Sequence, residues 1–317
     1  MKKVLLFCLM FLNLSAFADG VDDTIKAAEQ IFEATRITCS GISDEIAKVS
    51  NISKVNTAVT AVGTVAAGGA LVAGVKKSQE EQEIDNLVKE ICDAGGCSLE
   101  GVNNMTRKQF FDTVLVKMAK IEDLQRRIDN SKKAGNWRTG LMAGTIGTNL
   151  ASAIISGLNI NQSDLVQHIS ACNEMIRSAA NIEMELKKMG INQIEYPVAK
   201  NIASVHTWCN EIDVKDIEKV EKRMKGVMGT SVAGTAIGVI GVGTSAAANS
   251  GKYMNVENKL MLNDEDKKKE KALNTTANAM AGVNTVAGVV ETGLNISLIS
   301  LTKKLMQSAE RCEDILK

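Results

Sequence analysis

Residues 226–251 read GVMGTSVAGTAIGVIGVGTSAAANSG, a stretch without a single charge. Within it Gly226, Thr230, Gly234 and Gly238 recur every four residues, a step that keeps side chains on one slowly drifting face of an α-helix. Glycine inside a helix costs about 0.5–1 kcal/mol relative to alanine. A helix with so many of them makes sense only where a smooth face lets another backbone come close and gain dispersion contacts. The stretch reads as an interface helix.

Working outward, charge vanishes three more times, over residues 55–75, 139–163 and 272–290. Each run is crowded with Gly, Ala, Ser and Thr, yet holds too much Val, Ile, Leu and Met for disorder. Gly140, Gly144, Thr148, Ser152 and Ser156 repeat the four-residue step in the second run. On this pattern Gly63, Gly140, Gly144, Gly234, Gly238 and Gly282 are the expected helix-packing positions. A single proline, Pro197, and an aromatic content of 3% leave little to interrupt helices and little that strands favour. The fold class is all-α.

The runs are related in pairs. Ile46-Ala47-Lys48-Val49 precedes the first run and Ile217-Glu218-Lys219-Val220 the third, with Gly63-Thr64 and Gly234-Thr235 following at the same spacing. Met142-Ala143-Gly144 and Ser156-Gly157-Leu158-Asn159-Ile160 mark the second, and Met280-Ala281-Gly282 and Thr292-Gly293-Leu294-Asn295-Ile296 the fourth. This order predicts duplicated antiparallel helical hairpins forming an elongated, disulfide-pinned bundle: a first unit over 19–194 and a second over 195–317. Residues 76–137 form a charged helical arm within the first unit, where a partner surface is expected.

Residues 1–18 carry Lys2 and Lys3, a short apolar run and an Ala16-Phe17-Ala18 end, the parts of a secretory signal peptide. The apolar run is too short to span a bilayer as a mature helix. An exported chain is oxidised, and of the seven cysteines only Cys8 lies in the leader. Cys39 and Cys209 lie upstream of the first and third runs, Cys172 and Cys312 downstream of the second and fourth. Pairing within each hairpin gives Cys39–Cys172 and Cys209–Cys312; the alternative, Cys39–Cys209 with Cys172–Cys312, links the units. Cys92 and Cys97 close locally across a glycine turn.

Catalytic and cofactor motifs are not found. His206-Thr207-Trp208-Cys209 places imidazole and thiol on one helix face, but a metal site needs more ligands and a disulfide at Cys209 removes the thiol. Gly238-Val239-Ile240-Gly241-Val242-Gly243 lies in no strand–turn–helix unit, so no phosphate cradle is expected. The chain has 37 basic and 37 acidic residues, and losing Lys2 and Lys3 leaves it slightly acidic. That argues against nucleic acid as a partner. We therefore expect no enzyme, no cofactor and no metal.

Two functions fit. The first is an exported, non-enzymatic structural or interaction protein of a bacterial-type envelope, periplasm or secreted fraction, with a protein partner or a second copy. The alternative is a membrane-active helical protein, a pore former or membrane perturber, inserting its glycine-rich hairpins. Run lengths of roughly 20 residues suit a bilayer. The abundance of Gly, Thr, Asn and Ser, and the scarcity of aromatic belts, favour the soluble reading at this level. Cleavage after Ala18 predicts that intact-mass measurement of the exported protein finds Asp19 at the N-terminus; a mass retaining Lys2 and Lys3 contradicts the signal-peptide reading.

Overall fold

The computed structural model describes residues 21–93, 107–160, 163–209 and 214–317. The leader, Cys97 and the Thr106 end of the arm lie outside the described residues. Among the described residues eight helices follow one another: α1 (Val21–Cys39), α2 (Ile42–Asp93), α3 (Arg107–Ile160), α4 (Ser163–Lys188), α5 (Pro197–Trp208), α6 (Val214–Ala248), α7 (Val256–Met261) and α8 (Asp264–Leu316). No strand occurs among the described residues. The arm is not a set of separate helices, because its halves are the continuations of α2 and α3 themselves.

The long helices share a seam. On α2 the inward positions are Ile42, Ile46, Val49, Ser53, Asn56, Thr60, Gly63, Ala67, Ala70, Gly74 and Lys77, then Ile84, Val88 and Ile91 beyond Glu81. On α8 they are Asn274, Ala277, Ala281, Asn284, Gly288, Glu291, Asn295, Leu298, Thr302 and Leu305. Steps of four and three alternate without a break. This is a heptad repeat of 3.5 residues per turn, the pattern of a left-handed helical bundle. The four-residue step in the sequence was therefore a partial view. It drifts by roughly 40° each time on a 3.6-residue helix, so the run from Gly140 to Ser156 starts on the outside and reaches the seam only at Ser152.

The packing glycines divide accordingly. A Cβ on Gly63 would stand 3.1 Å from the Thr148 Cβ, and one on Gly238 would meet Ile146 at 2.6 Å; Gly234 lies directly against the Asn149 amide. At Gly288 a Cβ would come within 3.3 Å of the Thr64 Cα, a backbone atom. These are close approaches that only glycine permits. Gly140, Gly144 and Gly282 differ from expectation, since nothing stands within 4 Å of their Cβ positions.

The chain forms two compact units, each drawing on both halves of the sequence. One comprises residues 1–55, 157–225 and 295–317. Here α1, α4 and α5 pack on one another around Ala28, Ile31, Leu165, Ile169, Ile176 and Ile202. Gly190, with a positive φ of 71°, ends α4 as the Ile191 N–H reaches back to the Leu186 carbonyl at 3.0 Å. Pro197 starts α5 where its missing N–H costs nothing. Cys39 bonds Cys172 and Cys209 bonds Cys312, at S–S distances of 1.99 and 2.06 Å. Cys92 is also disulfide-bonded.

The other unit, residues 56–156 and 226–294, is a four-helix bundle of α2, α3, α6 and α8. Partner numbers fall as helix numbers rise. Asn56 bonds Ser156 while Lys77 meets Ser131 and Glu90 meets Lys120, so α2 and α3 are antiparallel. Ser152–Ser231 and Arg138–Ser245 give the same sense to α3 and α6, and Thr60–Thr292 and Ser78–Asn278 to α2 and α8. Opposite responses to the same substitution test the seam. Gly63→Ala should lower the midpoint of denaturant unfolding, because Thr148 is stiff and must shift. Gly140→Ala, facing open space, should raise stability by about 0.5–1 kcal/mol.

Candidate functional site

Within the bundle unit, chemistry is inverted over one band. From residue 56 to 75 of α2, 139 to 156 of α3, 226 to 246 of α6 and 276 to 294 of α8, the seam is small or polar except at Met142 and Val227. Thr145, Asn149, Ser152 and Ser156 face inward from α3, Ser231 and Ser245 from α6, and Asn284 and Glu291 from α8, each less than a tenth exposed. The outward face is the apolar one. Val62, Val65, Val72, Leu150, Ile154, Val232, Val239, Val286 and Val289 are all at least half exposed. The α3 segment alone rises about 27 Å at 1.5 Å per residue, close to the hydrocarbon thickness of a bilayer.

Beyond the band, in the same unit, the ordinary order returns. Ile84, Val88, Ile91, Leu124 and Ile128 make an apolar core with Tyr253 and Met254, and Lys76, Glu83, Asp85, Lys89 and Glu90 are exposed. Trp137, 69% exposed, stands at the edge of the band. It borders a surface groove floored by Gly69, Val72, Ala73 and Leu141 and rimmed by Lys76 and Lys133. An exposed indole beside lysines is the arrangement found at membrane–water interfaces.

The edge of the band is closed internally by a charged network. The Arg138 guanidinium, fully buried, donates to Ser245 Oγ at 2.8 Å, Asn278 Oδ1 at 2.9 Å and Asn274 Oδ1 at 2.9 Å. Asn274 passes the link to Glu81, whose other oxygen holds the buried Lys77 ammonium at 2.8 Å. Lys259 and Glu270 form a second pair, 3% and 7% exposed, with both carboxylate oxygens within 2.7 Å of Nζ. Buried charges need a counter-charge and hydrogen bonds: Lys77 has Glu81, Lys259 has Glu270, and Arg138 is linked to Glu81 through Asn274.

Deeper in the band stands Glu291, 1% exposed. The Ser152 and Ser231 hydroxyls both bond its Oε1, the second at 2.6 Å, and Ser231 Oγ lies 2.9 Å from Ser152 Oγ. No Lys, Arg or His among the described residues pairs with it. Thr60, 3% exposed, accepts a bond from Thr292, the residue after Glu291, at 3.3 Å. One to two turns along α8, Asn284 is 2% exposed, and neither its amide oxygen nor its nitrogen has a hydrogen-bond partner. That oxygen is 3.4 Å from where a Gly234 Cβ would be, one turn from Ser231. Between this polar stretch and the Arg138 network lies a single apolar layer, Ala70, Met142 and Ala281, with the Met142 methyl seated on Gly241.

The residues singled out in the sequence fall elsewhere. His206 Nδ1 is 2.7 Å from Glu183, and the Cys209 sulfur is bonded to Cys312. Burial pulls the Glu183 carboxyl up, but hydrogen bonds from Lys187 and His206 outweigh it and hold the group below its usual range. No cluster of three His, Cys, Asp or Glu side chains suited to a metal occurs among the described residues. Glu291 and Arg138 were missed. Glu291 had a readable signal, being the lone charge between Lys271 and Lys303; an ionisable group so placed is a site by default if the run meets lipid. Arg138 carried no signal, since it borders the uncharged run in the way any flanking cation does.

No family model, curated protein or solved structure matches the chain. What the site can do therefore rests on its geometry alone. Arg138→Met should lower unfolding stability by about 3 kcal/mol, because it strands three acceptors and upsets a buried charge balance. The exposed Lys133→Met should stay within about 0.5 kcal/mol; equal effects in denaturant titration would mean that the network is not structural.

Proposed function

We propose that this chain is an exported, membrane-active helical protein whose bundle of α2, α3, α6 and α8 sits across a lipid bilayer. The observation that carries this reading is the inverted band, with its polar interior, exposed valines and isoleucines, and height of about 27 Å. In water such an arrangement gives up the main driving force of folding, because apolar surface stays wet while polar groups are desolvated. In hydrocarbon both choices become favourable. The stretches Val21–Asp93, Lys215–Ala248 and Asp264–Leu316 each contain an apolar window long enough to cross a membrane, and only 28% of each window is buried. The α3 band is less apolar, since it supplies Thr145, Asn149, Ser152 and Ser156 to the interior.

The disulfides bear on which membrane this is. The bundle unit carries the bonded Cys92 near the end of α2, and the other unit carries Cys39–Cys172 and Cys209–Cys312. Disulfides persist in oxidising compartments, so bonded cysteines in each unit suit a protein that was exported and oxidised before it inserted. An outer envelope membrane, or the membrane of another cell, fits that history better than one facing a reducing cytosol. Non-enzymatic action through membrane association follows from the same reading. A second copy covering the valines would satisfy the band as well, which is the structural or interaction alternative.

Flotation of the oxidised protein with liposomes separates the two. In the Trp208→Phe variant, Trp137 should be quenched by lipids brominated near the headgroup and less by lipids brominated deep in the chain. A protein that stays at the bottom of the gradient as a discrete soluble oligomer, with Trp137 unquenched, contradicts the membrane reading and supports the interaction one.

A further inference from the structure

We propose that the groove between α2 and α3 at the edge of the band binds one anionic phospholipid, with the phosphate on Lys76 and Lys133 and an acyl chain along the floor. The register of the two helices orders the groove. Lys77 Nζ is 3.4 Å from Ser131 Oγ, and a Cβ on Gly69 would stand 3.1 Å from the Leu141 side chain. Lys76 and Lys133 therefore stand level across the outer end, beside Asn130, while Gly69 and Leu141 close the end that lies within the band. Between residues 76 and 69 α2 rises about 10 Å at 1.5 Å per residue, enough for the upper part of one chain. The groove has a volume of about 430 Å³, because Gly69, Ala73 and Ala134 carry at most a methyl group where larger side chains would fill it.

Charge selects the occupant. Both lysines are exposed, and neither forms an ion pair among the described residues. The carboxylates one turn away have other partners: Glu80 has Arg127 at 3.4 Å, and Asp129 accepts from the Gln125 amide at 3.0 Å. Two uncompensated ammonium groups at a membrane boundary are a seat for phosphate oxygens, which lysine binds as a point charge. A zwitterionic lipid brings its own ammonium to the same place and gains less. The floor excludes an acidic peptide as the better fit, since a backbone entering the band leaves N–H and C=O groups unmet in hydrocarbon and an acyl chain has none. A second copy docked through the same groove about a two-fold axis would set lysines against lysines. Trp137, 69% exposed on the rim, gives the site an indole at headgroup level.

The inference deepens the membrane reading and rests on it, so the two are measured apart. Binding is followed in mixed micelles of dodecyl maltoside, where no bilayer has to be entered, and flotation on phosphatidylcholine vesicles is scored by itself. In the Trp208→Phe variant Trp137 is the only indole. Its emission is titrated with phosphatidylglycerol brominated on the acyl chains near the glycerol, and with phosphatidylcholine brominated at the same carbons. Half-quenching should need at least about fivefold less phosphatidylglycerol, the contribution of one lysine at a membrane surface, and the difference should shrink as salt is raised. Lys76→Gln combined with Lys133→Gln should remove the preference. Lys89→Gln combined with Lys132→Gln makes the same change in charge at exposed positions outside the groove, and should keep it. Equal quenching by the two lipids, a preference that survives in the groove variant, or one that both double variants lose alike overturns the site. A protein that floats without the preference loses only this groove, and one that shows the preference without floating loses only the membrane reading.

Discussion

A heptad seam constrains where four helices touch but not what they touch with, and everything else in this bundle depends on that freedom. The 3.5-residue spacing on α2 runs from Ile42 to Ile91 without a break, while the side chains on it change from isoleucine and valine to asparagine, threonine and glycine and back. The outward residues change in the opposite sense, from Lys48 and Lys54 through Val62 and Val72 to Lys89 and Glu90. One backbone geometry thus serves two solvents. Supercoiling needs knobs that fit holes, and glycine, serine and alanine meet that need at short range as well as leucine does at longer range.

The glycines follow from the same constraint. Inside the band most inward side chains are small, Met142 and Val227 apart, so the backbones close in. Gly63 receives Thr148, Gly288 receives Thr64 and Gly241 receives Met142. Threonine hydroxyls at these contacts fold back onto their own helix, as Thr64 does to the Thr60 carbonyl at 2.8 Å and Thr145 to Leu141 at 3.0 Å. A hydroxyl satisfied in its own turn brings no unmet donor into the contact, and at Gly63 and Gly288 it is the Thr148 and Thr64 oxygens that come nearest. The remaining polar atoms then concentrate on the axis, around Glu291, Asn284 and Asn149.

Charge is handled differently at the two levels. Arg138 and Lys77, next to the band, are fully buried but sit in a network with Glu81 and the neutral acceptors Ser245, Asn278, Asn274, Ser131 and Asn249. Such a network is rigid because losing one partner leaves a desolvated charge. Glu291 has hydroxyls and no cation.

The sequence alone determined the helical class and the places where charge disappears, and it left two pairings of four cysteines, of which the structure has Cys39–Cys172 and Cys209–Cys312. One proline, few aromatics and the order of cysteines are local or near-local facts, and local facts survive folding. The four-residue glycine step misled for Gly140, Gly144 and Gly282, because a period of four and a period of 3.5 agree over one turn and part over four. Which face of each helix points inward was decided only by the tertiary structure. Ser152 was legible in the sequence only as one step of the four-residue stripe, and Asn149 and Glu291 take their places on the axis from their neighbours. Four helices meeting along a narrow axis have room for small polar side chains there, and branched apolar ones are left outside. That choice depends on the neighbours of all four helices at once, and no window along a single chain contains it.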